Sequence, residues 1–497
     1  EDGEFLGELT LGQSKREVQT GTATPLTTIK QEEIDDRQAN TIAELIDSVP
    51  GGTLVNGQTP QGSGINIRGF GHAVNVVRGK YAKPNSEGEI THFQALTAAV
   101  SGTVGIGNIA AVAITVSIGG PGAIFWVIVA GLVGMTTKFV ECALGVKYRK
   151  VKVDGTVSGG PMYYLSAGLA GRGWPGLGKF LGVFYAISII IGCLGIGNMF
   201  QSNQAYVQLL EVTGGETGPL QGFGWLVGMG LALLVALIIL GGIKSIARVT
   251  SWLVPFMVVI YVIGALAVIA LNAANLPAAI ASVFTGAFSP SGAAGGVLGI
   301  MIIGFQRAAF SNEAGIGSAA IAHSAVATDK PMSEGFVGLL EPFIDTVVIC
   351  TLTGLVIITS FPPETFMSDN LQGIELTSAA FESKISWSPV PLSIAAVLFA
   401  FSTMLAWAYY GTKAWTYVFG EGRSKEFVFS IIFCVFIVIG AAVKLEAILD
   451  FADALIFVMA IPNLIGLYIL APEIKRDLKA YFEEVDEAEK PAQTLDA

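Results

Sequence analysis

Charge is what this sequence has least of. Only 13% of its 497 residues are Asp, Glu, Lys or Arg, against about 25% in an ordinary soluble domain. With 52% hydrophobic residues and a mean hydropathy of +0.63, a water-soluble globular chain is excluded and an integral membrane protein is implied. Histidine is nearly missing. His72, His92 and His323 have no metal-ligand spacing, and no nucleophile constellation stands beside them, so no cofactor and no enzyme activity are expected. The four cysteines, Cys142, Cys193, Cys350 and Cys434, each fall inside an apolar run. Buried free thiols are expected rather than a disulfide framework. A basic face for nucleic acid is lacking too. The net charge of −11 is unevenly spread, because much of the acid lies before residue 70 and in the stretch from Glu483 to Asp496. The first residues do not read as a secretory leader.

What is abundant is glycine, 61 residues, and long apolar runs. Spans of about 20 residues, long enough to cross a bilayer, are expected near 93–118, 121–146, 178–203, 222–241, 250–273, 296–320, 336–360, 389–415, 427–443 and 447–471. If the first span starts in the cytoplasm, the inner segments collect Arg78, Lys80, Lys83, Lys147, Arg149, Lys150, Lys152, Lys244, Arg248, Lys330, Lys413, Arg423, Lys425, Lys475, Arg476 and Lys479. The outer ones keep little beyond Lys384 and Lys444. That asymmetry predicts an inner-membrane protein with a cytoplasmic C-terminus.

The first span carries Ser101-Gly102-Thr103-Val104-Gly105-Ile106-Gly107-Asn108 in its middle. Glycines this close together break a membrane helix, and open backbone at membrane depth is tolerated only where protein or a water-filled cavity satisfies it. The alternative is a pair of tightly packed Gly-rich helices. A second such joint, Gly315-Ile316-Gly317-Ser318, lies in the sixth span. Each half of the chain thus has five spans, a broken one first and a semi-polar insert between its second and third. Five is odd, so the halves have opposite topology, the inverted-repeat layout of secondary transporters. A channel would need an oligomeric filter repeat, and none is visible.

Residues 1–71 differ in kind. They are polar, with a helix-like stretch Thr41–Ile46 stopped by Pro50-Gly51-Gly52 and strand-like pieces Thr53-Leu54-Val55 and Ile65-Asn66-Ile67. The runs Thr24 to Ile34, Ile46 to Val55, and Ile65-Asn66-Ile67-Arg68-Gly69-Phe70-Gly71 resemble the plug domain of a TonB-dependent outer-membrane receptor. No alternating ten-residue strands of a barrel follow. A small α/β plug-like segment unrelated to transport, a fusion of unrelated reading frames, is expected.

The following stretches point to a family: Gly105-Ile106-Gly107-Asn108, Gly119-Gly120-Pro121-Gly122-Ala123-Ile124-Phe125-Trp126, Glu141-Cys142, Gly159-Gly160-Pro161-Met162-Tyr163-Tyr164, and the run Gly304-Phe305-Gln306-Arg307-Ala308-Ala309-Phe310-Ser311-Asn312-Glu313-Ala314-Gly315-Ile316-Gly317-Ser318. Over about residues 72–476 the chain resembles the alanine or glycine:cation symporter family, the sodium:alanine symporters. Two departures stand out. Val127-Ile128 stands where the family often has Met-Trp, and the plug-like segment replaces an additional first membrane helix. The resemblance implies an all-α, leucine-transporter-type fold with about ten membrane helices in two repeats (about 93–273 and 296–471). Residues 477–497 then form an acidic cytoplasmic tail. It also implies sodium-coupled uptake of small neutral amino acids such as alanine or glycine. Proton coupling of the same substrates, or a non-functional chimera, are the other readings.

The candidate site follows from the same residues. The second half of the first span begins near Gly107-Asn108, where free N–H groups and the helix dipole suit a carboxylate. The open backbone from Thr103 through Gly105 to Gly107 offers carbonyls to substrate or sodium. Asn108 supplies a donor and an acceptor, or a helix cap, two compatible roles. By resemblance, Phe305 and Gln306 belong to the pocket and Phe200 and Gln201 to its wall. Also by resemblance, the Ser402 and Thr403 hydroxyls with the Ser101 and Val104 carbonyls form a sodium site, since hard cations want oxygen. Thr403 lies one helical turn from Trp407, so both can face one cavity. Arg307, Glu313, Asp345, Glu341 and Glu141 beside Lys138 are intramembrane charges, functional or paired structurally.

Overall fold

The computed structural model of the chain describes residues 68–83, 86–153, 155–289, 295–367, 371 and 373–489, and four short strands before them. It divides into two compact units, Glu1–Asn75 and Val76–Ala497. In the first, β1 (Glu8–Leu11) pairs antiparallel with β2 (Thr27–Lys30), with Leu9 opposite Ile29. Strands β3 (Thr53–Leu54) and β4 (Ile65–Asn66) pair likewise. The helix expected at Thr41–Ile46 lies outside the described residues. Helix α1 (Arg68–Val77) follows.

Among the described residues of the second unit, the regular structure is helical apart from the two-residue strands β5 (Lys150–Val151) and β6 (Val157–Ser158). Helix α2 (His92–Thr103) opens with a capping box: Gln94 N–H donates to Thr91 Oγ1 at 3.2 Å and Thr91 N–H to Gln94 Oε1 at 3.0 Å, which satisfies two orphan donors of the first turn. Beyond Thr103 the helix stops. Gly105 is fully extended (φ −135°, ψ −160°), a 3₁₀ turn covers Ile106–Asn108, and α3 (Ala110–Gly119) resumes. The two halves are bent by 54°. Residues 95–116 are buried throughout, which is why this span is apolar on every face.

Around it stand α4 (Gly122–Lys147), α5 (Pro161–Ala170), α6 (Pro175–Val212), α7 (Gly224–Ile239), α8 (Gly242–Leu271) and α9 (Leu276–Ala287). The second half has α10 (Gly296–Asn312), α11 (Ala319–His323), α12 (Pro331–Ser360), α13 (Pro363–Phe366), α14 (Ile374–Glu382), α15 (Pro389–Phe419), α16 (Arg423–Ala442) and α17 (Leu445–Glu489). Among the described residues, seven helices are long and apolar enough to cross a bilayer, and the bent α2/α3 pair makes an eighth. The expected ten differ at two places. Helix α7 has 16 residues and α10 has 17. At 1.5 Å per residue each falls short of a hydrocarbon core of about 30 Å.

Two long helices are not uniform. α6 passes through a π-helical segment at Gly195–Met199 and α12 through another at Phe343–Cys350. Such segments shift the register of a helix face and often mark functional positions. At the first, a Cβ on Gly197 would fall 1.9 Å from the Trp407 ring, so only glycine lets α6 lie this close to α15. The peripheral helices turn apolar side chains outward, Trp252 of α8 at 83% exposure among them, as a lipid-facing surface requires. Cys142, Cys193 and Cys350 are buried free thiols and Cys434 is partly buried.

Candidate functional site

The first break is held open by side-chain amides. Asn108 Oδ1 accepts from Gly105 N–H at 2.9 Å, and Gln201 Oε1 of α6 accepts from Ile106 N–H at 3.2 Å. These replace the intrahelical bonds that the break removes. The other end of the Asn108 amide turns to α12 and α10. Its Nδ2 donates to Asp345 Oδ1 at 2.6 Å, to the Asp345 carbonyl at 3.1 Å and to Ser311 Oγ at 3.1 Å. Asp345 also accepts from Ser311 at 2.8 Å and Thr346 at 2.6 Å. Asn108 is therefore a brace between the breaks, and Asp345, the partner that orients it, was not tied to it by sequence.

Along α15, Thr403, Trp407 and Tyr410 lie on one face, as spacings of four and three dictate, and that face lies against the break. A Cβ on Gly105 would sit 2.3 Å from Thr403 Oγ1 and 3.2 Å from Gln201 Oε1, and one on Gly102 would sit 2.9 Å from the Tyr410 hydroxyl. Thr403 Oγ1 and Tyr410 Oη are buried and have no hydrogen-bond partner. Two unpaired hydroxyls beside an open backbone are costly unless something else bonds them. Trp407 Nε1–H donates to Glu313 Oε1 at 2.9 Å and lies 3.4 Å from the Gly102 carbonyl. The structure thus brings together Thr103, Val104, Gly105, Gln201, Thr403 and Trp407.

Other expected residues stand apart. Ser402 is buried, but its hydroxyl donates to the Phe399 carbonyl of its own helix at 3.0 Å and faces Met257 Sδ at 3.6 Å. Neighbours on a helix point about 100° apart, so Ser402 and Thr403 address different helices. Ser101 Oγ back-bonds to Ala98. Phe305 is 39% exposed and its ring lies 6.4 Å from Trp126, on the outside of α10. Gln306 donates to Asp453 of α17 at 2.9 Å. Arg307, one residue on, pairs with the same carboxylate and lies over Phe310 at 5.8 Å. Phe200 does reach the centre, packed edge-on against Phe310 at 5.0 Å, whose ring lies beside Gly107.

The second break is tied by carboxylates. Glu313 caps α10 in the left-handed region (φ 58°). It accepts from Ser318 as well as Trp407. Glu141 of α4 accepts from Gly315 N–H at 2.9 Å and from Asn463 of α17 at 2.7 Å. Lys138 does not pair with Glu141 but with Glu341 of α12, at 3.1 Å.

At the end of the bundle where α2 begins, the first break's leading half and α11 are joined through their flanks. Ile90 and Val326 form a parallel bridge. Arg149, just past α4, donates to the carbonyls of Ser324 (2.9 Å), Val326 (2.6 Å), Thr328 (2.8 Å) and Glu87 (2.7 Å). Burial pulls this guanidinium below its ordinary value, while Glu334, Glu87 and Asp329 act in the opposite direction.

These features define a multi-pass helical membrane protein with a discontinuous helix buried at its centre. The chain belongs to the sodium:alanine symporter family, whose sequence profile matches residues 58–495; it is a family of transporters, not of enzymes. The profile described as TonB-dependent Receptor Plug Domain matches residues 18–95. The chain is 40% identical to the sodium/alanine symporter AgcS of Methanococcus maripaludis, over 84% of this chain and 90% of that protein. It is 33% identical to the probable sodium/glutamine symporter GlnT of Bacillus subtilis, over 86% of each chain. Among solved structures, that of MhsT in complex with L-phenylalanine aligns with a TM-score of 0.55 at 16% identity, covering 78% of this chain and 89% of that one. At that identity the likeness is one of fold, of the leucine-transporter type.

Proposed function

We propose that the chain couples sodium influx to uptake of small neutral amino acids, alanine or glycine, by alternating access. The observation that carries this reading is the pair of buried, unpartnered hydroxyls, Thr403 against the extended Gly105 of the first break and Tyr410 against Gly102 in the last turn of α2. Sodium is a hard cation and takes hydroxyl and carbonyl oxygens. Thr403 Oγ1 with the carbonyls of Ser101 and Val104 is the proposed ion site. Ser402 joins it only by leaving Phe399 and Met257. A full carboxylate at this depth would leave an unpaired charge each time the ion departs. Neutral oxygens hold the ion weakly enough to release it.

The substrate's carboxylate is taken at the start of the resumed helix, near Gly107 and Asn108, with Thr103 and Gly105 beside it. There it takes over N–H groups that Asn108, Gln201 and the Gly105 carbonyl hold in its absence. Phe200, Gln201 and Trp407 wall the pocket. The fully buried indole of Trp407, fixed by Glu313, leaves room for a small side chain only. Phe305 and Gln306 lie outside this pocket and serve α10 and its contact with α17.

The same reading extends to the architecture. The chain forms two inverted repeats, about 93–273 and 296–471, each led by a broken helix. It lies in the inner membrane with the basic loops and the C-terminal tail in the cytoplasm, and residues 1–71 take no part in transport. Uptake of labelled alanine into proteoliposomes, with and without an inward sodium gradient, tests the reading. Sodium-driven accumulation is expected, and uptake indifferent to sodium would overturn it.

A further inference from the structure

Five ionisable side chains make an unbroken buried relay at the end of the bundle where α2 begins. His92 Nδ1 of α2 bonds Glu334 of α12, and the other Glu334 oxygen bonds His323 Nδ1 of α11 at 2.6 Å. His323 Nε2 bonds Glu341 of α12, whose second oxygen accepts from Lys138 of α4 at 3.1 Å. His92 is 4% exposed and the other four are 0%. No role in substrate or sodium binding touches these groups.

Hydrogen counting fixes what this relay holds. A neutral imidazole has one N–H and one lone pair, yet His323 meets a carboxylate at both nitrogens. A neutral ring between two carboxylates would aim its lone pair at a carboxylate oxygen. The arrangement closes only with one additional proton, on the ring or on a carboxyl. Charge counting agrees. Lys138 supplies one positive charge, Glu334 and Glu341 two negative, and the additional proton brings the sum to zero with His92 neutral. Without that proton the relay itself would carry a net negative charge in a buried setting, which is costly and is offset only from outside the relay, by Arg149 facing Glu334.

We propose that this relay is a second ion site whose ligand is a proton, held at His323 while the α2 end of the bundle is closed and released to the cytoplasm through His92 when that end opens. The clause "to the cytoplasm" rests on the orientation proposed above. The logic is linkage: His92 and His323 sit on the leading half of one broken span and the trailing half of the other, and both are bonded to Glu334. Parting either half-helix from α12 lets water reach the carboxylates, and they no longer need the proton. The proton passes from His323 by way of His92 to cytoplasmic water, and the carboxylates keep their charge. A proton returns from the same side when that end recloses, so opening is the step that a rise in internal pH favours. The groups facing His323 are Glu334 and Glu341 of α12 and Cys142 of α4. Lys138, His92, Arg149 and Tyr410 of α15 lie one shell farther out, and the carboxylates of Glu141 and Glu313 face Lys138 from beyond it. Cys142, His323 and Glu341 bring donor atoms within 4.8 Å of one another, but the Lys138 ammonium already neutralises Glu341 there, which favours a proton over a metal ion.

Two measurements test the proposal. In proteoliposomes, the rate of sodium-driven alanine uptake should rise with internal pH, with a slope approaching about tenfold per unit for a single proton, and should ignore external pH. Glu334→Gln restores charge balance with a neutral His323 and should abolish that internal dependence. An equal slope in wild type and Glu334→Gln, or a flat wild-type profile, would overturn the proposal. The second measurement needs no transport, so it decides even if the protein carries another substrate. The thermal unfolding midpoint of the full chain in detergent should fall as pH rises through the neutral range. A group bonded at both nitrogens only when protonated loses that stabilisation on deprotonation. Glu334→Gln and His323→Gln should both flatten the profile, and profiles parallel to wild type would refute the site.

Discussion

The two breaks in the helical unit are built from opposite materials. The first, between α2 and α3, is held by neutral amides: Asn108 and Gln201 satisfy its backbone, and the hydroxyls facing it are left unpaired. The second, after α10, is held by carboxylates: Glu313 and Glu141 take up Ser318, Trp407, the Gly315 N–H and Asn463. A site meant to bind and release must keep bonding capacity in reserve. A joint meant to hold its geometry spends most of that capacity on itself, although Glu141 Oε2 is buried there without a hydrogen-bond partner. On the function proposed above, the first break is the place of exchange and the second a fixed hinge point.

Six substitutions, Gly315→Ala and Asp345→Asn among them as controls, break or sharpen that comparison, in falling order of effect. Glu141→Ala strips the second break of its acceptor for both Gly315 N–H and Asn463. Each bond to a charged group is worth about 1.5–3 kcal/mol, so a large drop in unfolding midpoint and in membrane abundance is expected by size-exclusion chromatography of detergent extracts. An unchanged midpoint would make the carboxylate dispensable.

Gly105→Ala should instead spare abundance and reduce uptake by more than about tenfold, because its methyl would occupy the Thr403 hydroxyl position. Gly315→Ala is the control. That glycine has φ +89° and no neighbour nearer than 3.4 Å. Alanine there is strained by about 1–2 kcal/mol, which should show in stability and not in substrate affinity. The comparison fails if both alanines act alike.

Thr403→Val keeps the shape and removes the oxygen. The sodium concentration for half-maximal uptake should rise about tenfold with normal abundance, while Asp345→Asn has a smaller effect on sodium dependence. The reverse order would move the ion site to α12. Ser402→Ala should change sodium dependence by less than about twofold, since a hydroxyl back-bonded to its own helix adds little. A shift as large as that of Thr403→Val would restore Ser402 to the ion site.

Local pattern carried much of this to the reader of the sequence. Glycine spacing marks both breaks, the long apolar helices fall where the hydropathy places them, and Thr53–Leu54 and Ile65–Asn66 are strands. What local pattern cannot carry is pairing at long range. Asn108 with Asp345, Arg307 with Asp453, and His92 with Glu334 join residues 237, 146 and 242 positions apart. No periodicity encodes such distances. The three histidines read as isolated because a relay alternating with glutamates has no histidine-to-histidine spacing. Glu334 and Glu341, two helical turns apart on α12, were the one available hint. The outward placement of Phe305 beside Trp126 was illegible for a related reason. Its neighbour Gln306 and the break lie on one helix, but only the packing of Trp126 decides which face of α10 looks outward.

Arg149 has a mechanical consequence. A single planar guanidinium grips four carbonyl oxygens, one ahead of α2 and three beyond α11. Its rigid fork fixes their spacing in a way a lysine's point charge does not. The chain entering one broken span and the chain leaving the other therefore share one fulcrum. A displacement begun at either is felt at both, and the two half-helices swing as a single lever.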